Sequence, residues 1–174
     1  MDLIDAHARM VKDLYLTIEK RSNKNYSDSP EYDIQQMVSD FYEEWLKNTE
    51  YSVKREKEGR FDVVIYKEDK ISILYEIKTF FKENENINES ILYKDVKKLS
   101  EKNDNLASVT HKYILITGKK SKLGAGSIPS FVTDHMDDKR SHSAIGSHND
   151  IKLRPSRKQI PAGKTFVMSW EVIF

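Results

Sequence analysis

Asp62, Glu76 and Lys78 are ionisable residues set inside two apolar runs, and that setting is where this chain could do chemistry. The runs, Phe61 to Tyr66 and Ile71 to Ile77, are rich in Val, Ile and Tyr and flank a short charged loop. The pattern predicts a β-hairpin buried on at least one face. An ionisable group in such a place is costly unless it is paired or bound to a metal. Side chains alternate along a strand, so Glu76 and Lys78 project from the same face. Two carboxylates and an ammonium at strand ends suit metal-assisted phosphodiester hydrolysis. Carboxylate oxygens hold Mg²⁺, the ion polarises the phosphate and activates water, and a lysine beside it orients that water or stabilises developing charge. The main-chain carbonyl of Ile77 could add another oxygen ligand. On their own, Glu76 and Lys78 also fit a same-face ion pair on a partly exposed strand end.

The length of the hairpin loop decides whether Asp62 joins them. With Tyr66 opposite Ile71 and an unbroken ladder, Asp62 faces Tyr75 and points away from Glu76. A three-residue loop, Glu68-Asp69-Lys70, or a bulge near Asp62, puts Asp62 opposite Glu76 on one face. One or the other is expected.

The surrounding elements must position this hairpin. Residues 3–20 read as an amphipathic helix with His7 on or beside its apolar stripe, a structural histidine. Residues 22–29 form a linker dense in turn formers. Ser29 then caps, and Pro30 opens, a helix running to about Lys47, with Ile34, Met37, Val38, Phe41 and Trp45 turned inward. At 100° per residue from Ile34, Glu31 falls near 60° and Glu44 near 280° (both about), so Glu31 lies toward the sheet. Glu31 is the first candidate for a helix-borne acid at the site and Glu44 the second, although an acid in a first helical turn also suits the helix dipole. Tyr51 to Glu56 reads as an edge strand, 80–88 as a polar loop, Glu89 to Asn103 as a helix with its lysines outward, and Lys112 to Thr117 as a central strand. From residue 118 to 163 the pattern degrades. That stretch holds five of the six glycines and three of the four prolines, so an irregular insertion is expected before a closing strand over 164–174. The order is that of a single-domain mixed α/β layer fold.

Composition narrows the function. The 174 residues carry no cysteine, which removes disulfides, thiolate zinc sites and a Cys nucleophile. No apolar run reaches the length of a membrane span, and the first residues lack the regions of a signal peptide, so a cytoplasmic protein with no membrane partner is expected. The net charge of +1 hides an asymmetry: residues 1–117 carry 19 basic and 23 acidic side chains, residues 118–174 carry 10 and 5. A nucleic-acid footprint should therefore lean on the C-terminal third, through Lys119, Lys120, Lys122, Arg140, Arg154, Arg157 and Lys158. Lys94, Lys97 and Lys98 on the helix after the hairpin could contact a phosphate backbone. A solvated basic face gives the same counts. His135, His142 and His148 match no common zinc spacing. Gly118 to Ser127 lacks the order of a phosphate-binding loop, so no nucleotide cofactor is expected.

At Asp62, at Glu76-Ile77-Lys78, and in the helices and strand around them, the sequence resembles the PD-(D/E)XK nuclease superfamily. That superfamily includes many type II restriction endonucleases and archaeal Holliday-junction resolvases. The resemblance spans roughly residues 30 to 117, with Phe61 standing where the motif has proline. It implies a restriction-endonuclease-like αβββαβ core and Mg²⁺ dependence, with Mn²⁺ able to substitute. It also implies DNA cleavage with Asp62 and Glu76 as metal ligands, Lys78 as the water-positioning lysine, and a helix-borne acid such as Glu31. Double-strand cleavage needs two sites, hence a homodimer on duplex DNA. Restriction or another anti-phage role is the first expectation, and junction resolution or repair the next. The competing expectation is an inactive nuclease-fold module that binds nucleic acid or a protein.

Overall fold

Helix α1 (Leu3–Lys20) begins where the Asp2 carboxylate turns back to accept the N–H groups of Ile4 and Asp5, at 2.9 and 3.3 Å. This cap satisfies two of the donors that a helix start leaves unpaired. The computed structural model describes residues 2–21, 30–55, 61–101, 106–124, 128–136, 143–145, 148–159 and 163–173. Ser29, the linker over 22–29 and Arg140 lie outside them. Helix α2 (Pro30–Trp45) has proline at its first position, where the missing N–H is no loss. It buries Ile34, Val38 and Tyr42, whereas Met37, Phe41 and Trp45 are only partly buried. Tyr42 takes the inward place because its hydroxyl meets that of Tyr75 at 2.6 Å, which satisfies both polar tips inside the core.

Strands β1 (Tyr51–Lys54), β2 (Val63–Lys67) and β3 (Lys70–Phe80) form an antiparallel meander. Helix α3 (Glu89–Ser100), capped by Asn88, crosses back to β4 (His111–Lys119), which runs parallel to β3. The chain continues through a 3₁₀ turn (Lys120–Gly124), α4 (Ser130–Met136), β5 (Ser143–Ile145), β6 (His148–Gln159) and β7 (Thr165–Ile173). The sheet order is β1-β2-β3-β4-β7-β6-β5. This is an α/β protein with four helices and a mixed open sheet of six strands, extended at one edge by the three-residue β5.

The sheet is buried on both faces. Helices α1 and α2 cover one face, against Val63, Ile65, Tyr75, Ile77, Tyr113 and Leu115. Helices α3 and α4 cover the other, against Val64, Leu74, Ile114, Ile116, Met168 and Trp170. Consecutive strand residues thus serve opposite layers, as a side-chain period of two requires. Tyr75 belongs to the α1/α2 side, and its neighbour Glu76 to the α3 side. His7 is buried against the first layer, with Nδ1 2.7 Å from the Tyr75 hydroxyl and its ring stacked on Tyr113.

Two expectations change. The stretch 118–163 is not irregular throughout. It contributes the end of β4, a 3₁₀ turn, α4, β5 and the twelve-residue β6. Strand β6 buries Ile151 and Leu153 but is otherwise polar, and its register shifts between Pro155 and Arg157, where proline interrupts the ladder. The hairpin loop is also not three residues long. Lys67 pairs with Lys70 across the two-residue loop Glu68-Asp69, with Glu68 at φ 54°. The ladder then slips by one, because Tyr66 pairs with Ile71 but Ile65 with Ile73, leaving Ser72 as the bulged residue. The bulge sits near the turn rather than beside Asp62, yet it shifts the register of the rest of β2 by the one residue needed.

Among the described residues no helix is long and apolar enough to cross a membrane.

Candidate active site

Asp62 lies one residue before β2, where the chain leaves the ladder. Its N–H donates to Tyr75 O at 3.0 Å, and its carboxylate takes over the next rung, Oδ2 accepting the N–H of Ile77 at 2.7 Å. The other oxygen, Oδ1, accepts from Gln35 Nε2 on α2 at 2.8 Å. Gln35 is itself oriented by Arg55, just after β1, whose guanidinium donates to Gln35 Oε1 at 3.1 Å and to Gln36 Oε1 at 2.6 Å. The Asp62 carboxylate is thus held from β3 and from α2, with Arg55 bracing the α2 contact.

Glu76 and Lys78 extend from β3 toward α3. Glu76 is only 4% exposed, and Lys98 of α3 brings its ammonium to 2.6 Å from Glu76 Oε1. The same ammonium lies 4.9 Å from the centre of the Phe61 ring, within cation–π range. Lys78 Nζ is 3.3 Å from Asp95 Oδ2 on α3 and 3.6 Å from Glu31 Oε2 on α2. Asp95 and Lys98 are three residues apart, hence on one helix face. That face closes over the two strand residues as a pair of ion bridges.

The electrostatics follow from this packing. Burial, reinforced by the nearby Asp62 charge, pushes the Glu76 carboxyl up to about 8, against the pull of Lys98. Burial also raises Asp62, outweighing the N–H bond from Ile77, and raises Glu31 against the pull of Lys78. Burial works against the charge on Lys78, but Asp95 and Glu31 outweigh it and hold the ammonium above its ordinary range. Four carboxyl groups (Glu31, Asp62, Glu76 and Asp95) meet two ammonium groups (Lys78 and Lys98), an excess of two negative charges when all are ionised. One divalent cation would balance it.

The donor set fits a hard cation of the Mg²⁺ kind. Each carboxylate oxygen keeps a lone pair beyond the hydrogen bond it accepts. The Ile77 N–H points to the Asp62 side of β3. Along an extended strand the carbonyl of the same residue points the same way, so Ile77 O also faces the Asp62 side of β3. Among the described residues no three His, Cys, Asp or Glu side chains converge tightly enough to hold an ion by themselves. Mg²⁺ is commonly held by one or two carboxylates and keeps several waters, so Asp62 and Glu76 with water would be a sufficient set. A groove of about 350 Å³ opens beside Lys78, lined by Pro30, Glu31, Thr79, Phe80 and Lys82.

No protein-family model matches the sequence, and comparisons with curated proteins and with solved structures give no match either. The functional reading therefore rests on this geometry.

The structure brings Glu31, Asp62, Glu76, Lys78 and the Ile77 main chain together, but not Glu44, which lines a separate groove between α1 and α2. The candidate phosphate contacts divide. Lys94, Lys97 and Lys119 are exposed, whereas Lys98 turns into the site. Lys120 is half-buried, its N–H donating to Lys164 O at 2.8 Å. Lys122 is buried and donates to Glu83 O at 2.8 Å, so it braces the loop after β3. Arg154 pairs with Glu171 at 2.7 Å, and Arg157 is exposed on β6. Lys158 donates to Met136 O, yet it shares a cross-strand row with Lys78 through Met168 and Ile116. Three strand spacings separate them, roughly 14 Å.

Asp95, Gln35 and Arg55 were not among the sequence candidates. Asp95 and Lys98 each stand one residue ahead of a buried position, Val96 and Leu99, and that repeated flank was the available signal. Gln35 instead stands one residue after the buried Ile34. His135, set aside as a zinc ligand, is buried and bonds Arg157 O at 2.8 Å, while His142 lies outside the described residues.

Proposed function

We propose that this chain is a metal-dependent endonuclease that hydrolyses DNA phosphodiester bonds on a restriction-endonuclease-like core. The observation that carries the reading is the cluster in which the Asp62 charge acts on Glu76 and on Lys78, with Glu31 and Asp95 making four carboxyl groups against the two ammonium groups of Lys78 and Lys98. The run α2-β1-β2-β3-α3-β4, with β4 parallel to β3, has the order of the αβββαβ core implied by the sequence resemblance.

Asp62, Glu76 and the Ile77 carbonyl would hold the ion. A bound Mg²⁺, or Mn²⁺ in its place, supplies Lewis-acid polarisation of the phosphate and a water of lowered pKa. Lys78 presents an ammonium beside this position and orients the attacking water or meets the charge that develops on the phosphate. Asp95 and Glu31 keep that ammonium charged and fixed. Gln35 and Arg55 fix the Asp62 carboxylate, so little reorganisation is left to the reaction itself. Duplex DNA is the favoured substrate, which asks for a homodimer, and restriction or another anti-phage role suits a nuclease of this kind better than junction resolution or repair.

One observation favours the second reading, a nuclease-fold module that binds nucleic acid or a protein partner without turnover. Lys98 already occupies Glu76, and Lys78 is shared between two acids. Incubation of plasmid, linear duplex, branched and single-stranded DNA with Mg²⁺ or Mn²⁺, beside folded Asp62→Ala and Lys78→Ala proteins, separates the two. Cutting by the parent alone supports the endonuclease. DNA binding that survives equally in all three proteins without cutting supports the module.

A further inference from the structure

Lys98 stands where the site needs explaining. Its ammonium is 2.6 Å from Glu76 Oε1, it is shelved on the face of Phe61 at 4.9 Å, and its side chain is 26% exposed. Glu76 is a carboxylate that the proposed reaction requires on a divalent ion, and its own exposure is too small to reach past Lys98 to solvent. A lysine engaged with that oxygen is neither a surface phosphate contact nor a neutral bystander. It is a cation on the carboxylate that the proposed reaction would use.

From this geometry we infer that Lys98 is a built-in counter-cation that competes with the divalent metal for Glu76. This rests on the endonuclease reading above. Two features make it a device rather than an accident of packing. Phe61, standing at the position of the motif's proline, supplies the ring that keeps the ammonium over the carboxylate when no metal is bound. Asp95, one helical turn away on the same face, ties α3 to Lys78. Lys98 can therefore swing from Glu76 while the helix stays docked. Binding of the metal exchanges one partner of Glu76 for another and leaves the ammonium at the rim of the site, where a substrate phosphate is its natural partner. The linkage is reciprocal: whatever draws Lys98 off Glu76 tightens the metal, and the metal releases Lys98 for an anion.

The test measures Mn²⁺ binding in the absence of DNA, by loss of the free-ion electron paramagnetic resonance signal and by calorimetry, at fixed pH and ionic strength. Lys98→Met should bind Mn²⁺ roughly tenfold more tightly than the parent, since a charge close to the ion has been removed. Phe61→Leu, which keeps the lysine but removes its shelf, should tighten binding by a smaller factor. Lys12→Met removes the same formal charge from an exposed position on α1 and should stay within about twofold of the parent. Parent binding with Lys98→Met no tighter than Lys12→Met would overturn the competition and leave the endonuclease reading standing. Mn²⁺ bound by none of the four proteins would remove both. Because Phe61→Leu retains both members of the Lys98–Glu76 pair, the inference stays open to refutation even if Lys98→Met fails to fold.

Discussion

Asp62 Oδ2 accepts the main-chain N–H of Ile77 at 2.7 Å, so a carboxylate completes a rung that the backbone has just abandoned. The residue is therefore structural and electrostatic at once. Its position is fixed by the sheet, and its charge falls on Glu76, a buried residue within β3. Asp62→Asn keeps an acceptor for Ile77 but removes the charge. We expect cleavage to fall by about 100-fold or more, and the Glu76 carboxyl to move down from about 8 toward the ordinary range. Carbon-13 NMR of labelled glutamate carboxyls reads the second effect directly, and an unmoved Glu76 resonance would refute the assigned coupling.

Stability should vary with pH in a way set by two buried groups of opposite sense. Glu76 titrates near 8 when folded and near 4.5 when unfolded, so the folded protein holds the extra proton between those values and loses stability as pH rises through them. His7 is depressed to about 3 by burial, with Arg157 adding to the effect, against 6.5 unfolded. There the unfolded chain holds the extra proton, and stability rises with pH from about 3 to 6.5. The two oppose each other between 4.5 and 6.5. Above 6.5 the His7 contribution has ended, and the Glu76 contribution should make stability fall toward pH 8 with a limiting slope of ~1.4 kcal/mol per pH unit. Urea titrations at pH 5, 6.5 and 8 test this. The decline should vanish in Glu76→Gln and shrink when Mn²⁺ is present.

His7 is the polar centre of the opposite layer. Its Nε2 lies 2.8 Å from Ser156 Oγ and 3.0 Å from Ser169 Oγ, and its Nδ1 joins the Tyr75–Tyr42 hydroxyl pair. Truncation to Ala leaves an imidazole-sized void and strips partners from buried hydroxyls, which costs about 2–4 kcal/mol. Tyr75 and Glu76 face opposite layers, so kcat should change by less than about threefold at a temperature where the variant is folded. A large loss of kcat in a fully folded His7→Ala protein would show that the two layers are coupled.

Gly118 ends the row that begins at Phe80. A Cβ built there would lie 2.4 Å from Phe80 O and 2.8 Å from Phe80 C, both main-chain atoms of the strand bearing Glu76 and Lys78. Neither can rotate away, so Gly118→Ala must part β3 from β4 at the site's end of the sheet. We expect a loss of about 2 kcal/mol or more and weaker divalent-ion binding. Thermal melts and calorimetry check the two effects.

The helices and inner strands were legible because their signals are dense. Ile34, Val38 and the run Tyr113 to Ile116 carry the periods of a helix stripe and a buried strand. Asp62, Glu76 and Lys78 stood out as charges within apolar runs. Strand β6 was not legible, because two apolar residues and a proline do not make an alternation. Asp95 escaped notice because its partner is not on its own helix. What it does depends on Lys78, which arrives from β3. Ser72 and a third loop residue were indistinguishable on paper, since each adds one residue to the same count and only backbone pairing tells them apart.

That count gives the exposed turn at Glu68-Asp69 an unusual sensitivity. Turns of this kind ordinarily absorb insertions and deletions, since nothing rests on them. Here the bulge at Ser72 sets the parity of everything between the turn and Asp62. Removing Ser72 alone would leave the same pairs in an unbroken ladder, Ile65 with Ile73 and Asp62 opposite Glu76. Taking Ser72 into the ladder opposite Ile65 would instead set Asp62 opposite Tyr75, on the far side of the sheet, with every candidate residue still present in the sequence. The strand bearing Glu76 thus tolerates loss of its bulged residue, whereas one residue inserted between Asp62 and Glu76 and taken into the ladder turns Asp62 off the Glu76 face without altering any candidate residue.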